Sequence, residues 1–218
     1  MLEGLKIWRE VGDPHSISLG LNFLVPAQIK LERYEEAKAS MRESIALCEQ
    51  TKNRWGMGTA YRYLGLATLA NGQVNEAQAH FRKSLEIFGE YVVGWDIAIS
   101  LAYLGDAVRM SGDLDEARKV YLNALRISLD SKSIPIAMDT LLGLALLQVR
   151  AGNPERAFEI SYHVLNHPSI TQETKECAIE VCNEAQKKMT DIQTQVIKEN
   201  ASSRTFEEIV SSVMLEDL

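Results

Sequence analysis

The chain has no run of lysine or arginine. With 23 basic residues against 30 acidic ones its formal charge is −7, so the electrostatic footprint of a protein that binds nucleic acid directly, or an anionic membrane, is missing. No stretch approaches the ~18 consecutive apolar residues that a membrane-spanning helix needs, and no membrane partner is expected. The first residues lack the charged, apolar and small-residue layout of a signal peptide. Cysteine is scarce and odd in number: Cys48, Cys177 and Cys182. Three thiols do not make a disulfide scaffold, and they point to a reducing, cytoplasmic compartment.

The common enzyme motifs are missing too. There is no G-x-x-x-x-G-K-S/T loop and no G-x-G-x-x-G; Gly56-Met57-Gly58 lacks the third glycine and follows no strand. No G-x-S-x-G occurs. His163 and His167 lie four apart and could share a helix face, but zinc needs a third and fourth ligand. Glu159 and His80 have no reason to converge on them. They read as surface histidines at a helix end, where a cation suits the dipole. Cys177 and Cys182 are about 140° apart around a helix and read as small apolar fillers. Asp13, Asp113, Asp115 and Glu116 read as turn and cap residues. The expectation is no catalytic residue, no metal, no cofactor and no enzyme.

What is present is a repeat. Ala37, Ala77, Ala117 and Ala157 stand 40 residues apart, and periods of this order mean an array of stacked units. Asn71-Gly72, Ser111-Gly112 and Ala151-Gly152 recur at the same interval, as do Leu64-Gly65 with Leu104-Gly105, Phe81 with Tyr121, and Trp55 with Trp95. Within a unit, Tyr61, Leu64, Gly65 and Thr68 make one helical stripe; Gly72 ends that helix; Ala77, Phe81 and Ser84 make the next stripe. In the third unit Leu101, Leu104, Gly105 and Val108 precede Gly112, and Asp113 can cap the helix that carries Ala117, Tyr121 and Ala124. In the fourth, Asn153 is the expected cap and Pro154 the first helical residue. The first unit lacks the glycine and turns at Leu31-Glu32-Arg33. Gly65, Gly105 and Ala145 should let a neighbouring helix approach closely, with Val25 at this place in the first unit.

These stripes resemble the tetratricopeptide repeat over residues 15–166. The resemblance implies an all-α fold: an α-solenoid of antiparallel helical hairpins (a TPR-like superhelix) closed by a C-terminal helical cap. The family unit is 34 residues long, so a longer unit implies longer helices, with Trp55 and Trp95 filling space near the start of their first helices. The division expected is residues 1–13 as the remnant helix of a preceding repeat, 14–166 as four repeats and 167–218 as capping helices.

The resemblance also implies a concave groove, lined by the first helix of each unit, that holds a protein or peptide ligand. Carried over by position, the lining is Leu19, Asn22, Ile29 and Lys30 in the first unit and Thr59, Arg62, Leu66 and Leu69 in the second. The third contributes Ile99, Ala102, Asp106, Arg109 and Met110; the fourth contributes Asp139, Leu142, Leu146, Val149 and Arg150. Pro26 falls on the same face and should kink its helix. Arg62, Arg109 and Arg150 among apolar side chains suit a partner with apolar anchors and some acidic character. The carboxylate clamp of chaperone-binding members is not met, because Asn22 and Pro26 stand where it needs lysine and asparagine.

Both ends depart from the repeat. Adding 80 places Leu5 on Leu85, Ile7 on Ile87 and Trp8 on Phe88, so residues 2–11 read as the end of a second helix whose first helix is absent; a degenerate cap is the other reading. On the first reading the chain is a fragment of something longer, and Leu5, Ile7 and Trp8 form an exposed patch that drives weak self-association. After residue 166 the period is expected to lapse. Ala178, Val181, Cys182, Ala185 and Met189 form one stripe, and Ile192 and Val196 a shorter one. Thr205 and Glu208 make a capping-box pair for an amphipathic helix bearing Phe206, Ile209, Val210, Val213 and Met214. That helix either caps the solenoid or occupies a groove. The tail, His167-Pro168-Ser169-Ile170-Thr171-Gln172-Glu173-Thr174 and then Arg204 to Val210, resembles the C-terminal arm of large bacterial signal-transduction ATPases and transcriptional regulators of the maltose-activator type. That resemblance implies a sensor or interaction arm of a larger cytoplasmic signalling regulator. A free-standing scaffold or adaptor and a peptide-signal receptor are the alternatives.

Overall fold

The protein was analysed as a computed structural model, which describes residues 2–89 and 94–215. Among the described residues there are helices and no strands. The chain divides into two compact units, Met1–Gly112 and Asp113–Leu218. The first holds α1 (Leu2–Val11), α2 (Pro14–Lys30), α3 (Tyr34–Gln50), α4 (Arg54–Ala70), α5 (Val74–Gly89) and α6 (Gly94–Ser111). The second holds α7 (Leu114–Asp130), α8 (Ile134–Ala151), α9 (Pro154–Leu165), α10 (Gln172–Gln186), α11 (Asp191–Ser203) and α12 (Phe206–Leu215).

The helices stop where the backbone turns left-handed. Gly72, Gly112 and Gly152 have φ of 77°, 95° and 81°, a region open to glycine without a Cβ penalty. Glu32 takes the same place in the first hairpin with φ 58°, and Lys52 and Lys132 do so between hairpins, at 55° and 54°. Several stops satisfy the otherwise orphaned last carbonyls through six-residue bonds: Arg33 N to Gln28 O at 2.8 Å, Gln73 N to Thr68 O at 3.0 Å, Asn153 N to Gln148 O at 2.9 Å. Several restarts are capped from the side chain, though those at Arg33 and Ser133 are not. Asp113 accepts from Glu116 N at 3.0 Å as expected, and Thr205 and Glu208 exchange the two bonds of a capping box at 3.2 and 2.8 Å. Asn153 is a correction. It sits at the cap position and makes no cap bond; its Nδ2 donates instead to Gln148 Oε1 at 2.9 Å. α2 continues through Pro26 as a single helix.

In unit 1 consecutive helices pack as antiparallel neighbours, and α4 also lies beside α2 and α6. Ala37 and Ala77 are fully buried, as are Ala117 and Ala157 in unit 2, so the residue that marks the period is the one every hairpin closes upon. Gly65 is where Phe81 lies: a Cβ there would stand 2.6 Å from Phe81 Cε1. Gly58 does the same for Phe88 at 2.7 Å and Gly20 for Trp8 at 2.6 Å. α1 is thereby fastened by Leu5 and Trp8, which join the core of α2–α4. The expected exposed patch is corrected to Ile7 and Val11, 53% and 73% exposed.

In unit 2, α8 packs on α7, α9 and α10. It is the one described helix long and apolar enough to cross a membrane by length and composition, and 67% of that window is buried within the protein. Gly143 of α8 receives the ring of Tyr121. Stacking continues past residue 166. α10 packs on α9 and alongside α8 as α4 packs on α3 and alongside α2, and its buried Val181 and Ala185 continue the rows of Leu141 and Ala145. α11 turns back onto α9. α12 also reaches α9 and buries Ile209, Val210 and Val213. The segment just before its start is held by Arg204 Nη1 to Glu159 Oε1 at 2.6 Å, and its second half by Arg156 Nη2 to Ser212 Oγ at 2.7 Å. The amphipathic helix covers its own unit, as a cap does.

Candidate functional site

The first helices of unit 1, α2, α4 and α6, carry most of the expected groove lining, and the structure sorts that lining into two sets. Asn22, Arg62 and Ala102 are buried. Asn22 Oδ1 accepts from Ser44 Oγ at 3.0 Å inside the hairpin. Leu66, Leu69, Asp106 and Arg109 are half-buried, while Lys30 and Met110 are exposed. Unit 2 repeats the division: Leu142 is buried, Leu146 half-buried, and Asp139 and Arg150 exposed. Asp139 Oδ1 accepts from Thr174 Oγ1 of α10 at 2.7 Å.

The residues one position further on are the ones that reach the surface. Phe23 is 56% exposed, and Tyr63 and Tyr103 are half-buried. One residue turns a helix by about 100°, enough to carry a side chain from the inter-helix seam to the open face. Phe23, Tyr63 and Tyr103 recur at the 40-residue interval, a signal present in the sequence beside the row selected from it. Trp55 and Trp95 join them. They do not fill space as expected: each stays partly exposed, at 39% and 43%. Trp55, Leu66 and Tyr63 fall within about 80° of one another around α4, and Trp95, Asp106 and Tyr103 do so around α6.

A buried ion pair lies behind these rings. Asp96, in the first turn of α6, is wholly buried. Its Oδ1 accepts from Arg62 Nη1 of α4 at 2.7 Å and its Oδ2 from Trp55 Nε1 at 2.8 Å. The Arg62 guanidinium carbon stands 5.7 Å from the ring centres of Tyr63, Phe88 and Trp95, within cation–π range. The expectation of Arg62 as a surface cation for an acidic partner is therefore corrected: its charge is spent on Asp96. Arg109 likewise has Asp106 at 3.4 Å.

Unit 2 has a cleft of about 340 Å³ lined by Tyr162, His163, His167, Arg204 and Phe206 among others. Phe206 lies between the two imidazoles, with ring centres 6.5 Å from His163 and 5.6 Å from His167. Burial pushes the His163 imidazole below its ordinary range. His163 is thus half-buried beneath α12 rather than a surface residue. Among the described residues no group of three or more His, Cys, Asp or Glu could hold a metal ion.

Residues 26–51, from Pro26 in α2 to just past the end of α3, match the family described as tetratricopeptide repeat. No curated protein matches the chain. The crystal structure of BtubC (BKLC) from P. vanneervenii superposes with a TM-score of 0.72 at 14% identity, over 99% of this chain and 90% of that one. The nearly identical TPR-like repeats of a candidate kinesin light chain from Podosopora anserina give 0.60 at 18% identity, over 89% and 93% of the two chains. A second crystal structure of such repeats gives 0.62 at 17%, over 84% and 92%. Likenesses at these identities establish the fold alone: this chain is all-α, of the TPR-like α-solenoid class.

Proposed function

We propose that this chain is a protein- or peptide-binding repeat module without catalysis, and that its ligand lies against the first-helix face of unit 1. The observation that carries the reading is the set of exposed and half-buried aromatic side chains there: Phe23, Trp55, Tyr63, Trp95 and Tyr103. Aromatic residues dominate the energetic centres of protein interfaces, and a solvated phenylalanine in the middle of a helix serves no core. The partner meets apolar and aromatic surface rather than a basic patch, because Arg62 is paired with Asp96.

Within that role, the tail from His167 to Thr174 and from Arg204 to Val210 favours the sensor or interaction arm of a larger cytoplasmic signalling regulator over a free-standing scaffold or a peptide-signal receptor. A nucleotide-binding domain encoded directly upstream would support this. Weak self-association through α1 belongs to the same reading, by way of Ile7 and Val11. The binding face is tested by selecting peptides from a random library on the intact chain and measuring them against Phe23→Ser. Selected peptides should lose affinity for the variant. Equal binding to both would place the site elsewhere.

A further inference from the structure

This inference rests on the peptide-binding reading of unit 1 and specifies the ligand. Phe23, Tyr63 and Tyr103 stand at the same place in α2, α4 and α6, and α4 lies beside both other helices. Packed helices have axes about 8–10 Å apart, so aromatic side chains are presented at about that interval. A polyproline II segment has three residues per turn and rises about 3.1 Å per residue, so every third residue returns to one face after about 9.3 Å. The two repeats match. An extended β-segment does not match, because residues on one of its faces recur about every 6.6 Å. An α-helix would place its i+3 and i+4 side chains, about 5–6 Å along its axis, between the rows.

Charge agrees with this ligand. Residues 1–112 hold 12 Lys and Arg against 13 Asp and Glu, a difference of −1. On the face itself Arg62 is paired with Asp96 at 2.7 Å and Arg109 with Asp106 at 3.4 Å. Lys30 is an exposed cation two helical turns from Phe23; with both arginines internally compensated, the rest of the face complements an uncharged segment. The carbonyls of a polyproline II chain make no internal hydrogen bonds, and the phenol of Tyr63 is a donor of the kind such carbonyls accept. We propose that the first-helix face of unit 1 takes an uncharged, proline-rich segment in the polyproline II conformation, with every third residue seated on Phe23, Tyr63 and Tyr103.

The test is calorimetric titration of the intact chain with an end-capped oligoproline of about 12 residues, roughly 37 Å long at this rise. An uncharged amphipathic helical peptide of similar size is titrated in parallel. The oligoproline should bind, and Phe23→Ser and Tyr63→Ala should each weaken it on the order of 10-fold, as loss of an anchoring aromatic does. Raising salt from about 0.05 to about 0.5 M should leave the affinity within about 2-fold, since no ion pair is formed. Phe23 is solvent-exposed, so its variant keeps the test clear of folding defects. If only the helical peptide binds, in a Phe23-dependent way, the polyproline assignment falls and the peptide-binding face stands. Oligoproline binding that neither variant weakens overturns the proposed seat. If neither peptide binds, the polyproline assignment falls, and failure of the random library to yield any Phe23-dependent peptide would overturn the peptide-binding reading as well. A Phe23-dependent dimer seen by light scattering would make a second copy the occupant and overturn the proposal.

Discussion

Removing Asp96 should be among the most damaging single changes in unit 1. Asp96→Ala deletes a carboxylate that is wholly buried and accepts from both Arg62 and Trp55. The guanidinium left behind is 4% exposed and has lost its counter-charge. Breaking a buried pair from one side costs about 3–5 kcal/mol. The Trp55 N–H loses its acceptor as well, a further 1–3 kcal/mol or so that overlaps with the first cost rather than adding to it. The three rings around Arg62 are present in both forms, so their cation–π attraction of about 0.5–2 kcal/mol does not enter the difference. At the low end of the cost of breaking the pair the loss is about 3 kcal/mol, or roughly 6–12 °C in melting temperature at about 2–4 °C per kcal/mol for a chain of this size. Arg62→Met should cost a similar amount by stranding the carboxylate. The double variant should return to within about 1 kcal/mol of the parent, because an apolar replacement of a buried pair removes the desolvation cost of both ions. Urea denaturation followed by far-UV circular dichroism measures all three. An Asp96→Ala loss below about 1 kcal/mol, or additive losses in the double variant, would refute the account of this pair.

Three further outcomes are expected. Gly65→Ala places a Cβ 2.6 Å from the fully buried Phe81, so overpacking of about 1–3 kcal/mol should outweigh a helix-propensity gain of about 0.5–1 kcal/mol; an unchanged melting temperature would contradict the contact, and Phe81→Leu should rescue the variant. Glu32→Gly relieves a left-handed φ of 58° and should stabilise by up to about 1 kcal/mol, as a rise in urea midpoint, whereas Gly72→Ala should lose a comparable amount. Burial pushes the His80 and His163 imidazoles below the ordinary 6.5, so the unfolded chain binds protons first: their contribution is complete above about pH 6.5 and is lost as pH falls below it. Melting measured from about pH 7.5 to about pH 5 should decline, less steeply in His163→Gln, and a flat profile would exclude the effect. Glu159 acts in a lower window: burial raises its carboxyl, but hydrogen bonds from Arg156 and Arg204 outweigh that and hold it below 4.5, so its share is present above about pH 4.5 and lost beneath.

The hairpins were legible because they are local and written several times. Gly72, Gly112 and Gly152 turn the chain where left-handed backbone is required, and Ala37, Ala77, Ala117 and Ala157 sit where two helices close. The face proposed for binding was legible only to within one residue. Asn22 and Arg62 lie one residue from Phe23 and Tyr63, in the adjacent row, and a single helical step decides which row meets water. Residue type did not settle it, since arginine and asparagine read as surface and phenylalanine as core. Arg62 is buried because Asp96, 34 positions away, is there to receive it, and a partner at that distance leaves no mark on local periodicity. The same limit hid the place of α10 in the stack, though its apolar stripe from Ala178 to Ala185 marked it as a helix. Its rows at Val181 and Ala185 continue the period, but the helix that follows does not pair with it as a second helix would, so the hairpin pattern breaks while the stacking goes on.

The placement of the indoles has a consequence for how this protein unfolds before an observer. Trp8, Trp55 and Trp95 are the chain's only tryptophans, and all belong to residues 1–112. Trp8 rests on Gly20, and Trp55 is tied to Asp96, so two of the three emitters are held by contacts that exist only in the folded hairpins. The second unit carries tyrosines such as Tyr121 and Tyr162 and no indole. Excited at the red edge of its absorption, the protein therefore glows from one unit alone: an emission-monitored transition is the melting of the first three first-helices and their partners, and the remainder of the chain is optically dark.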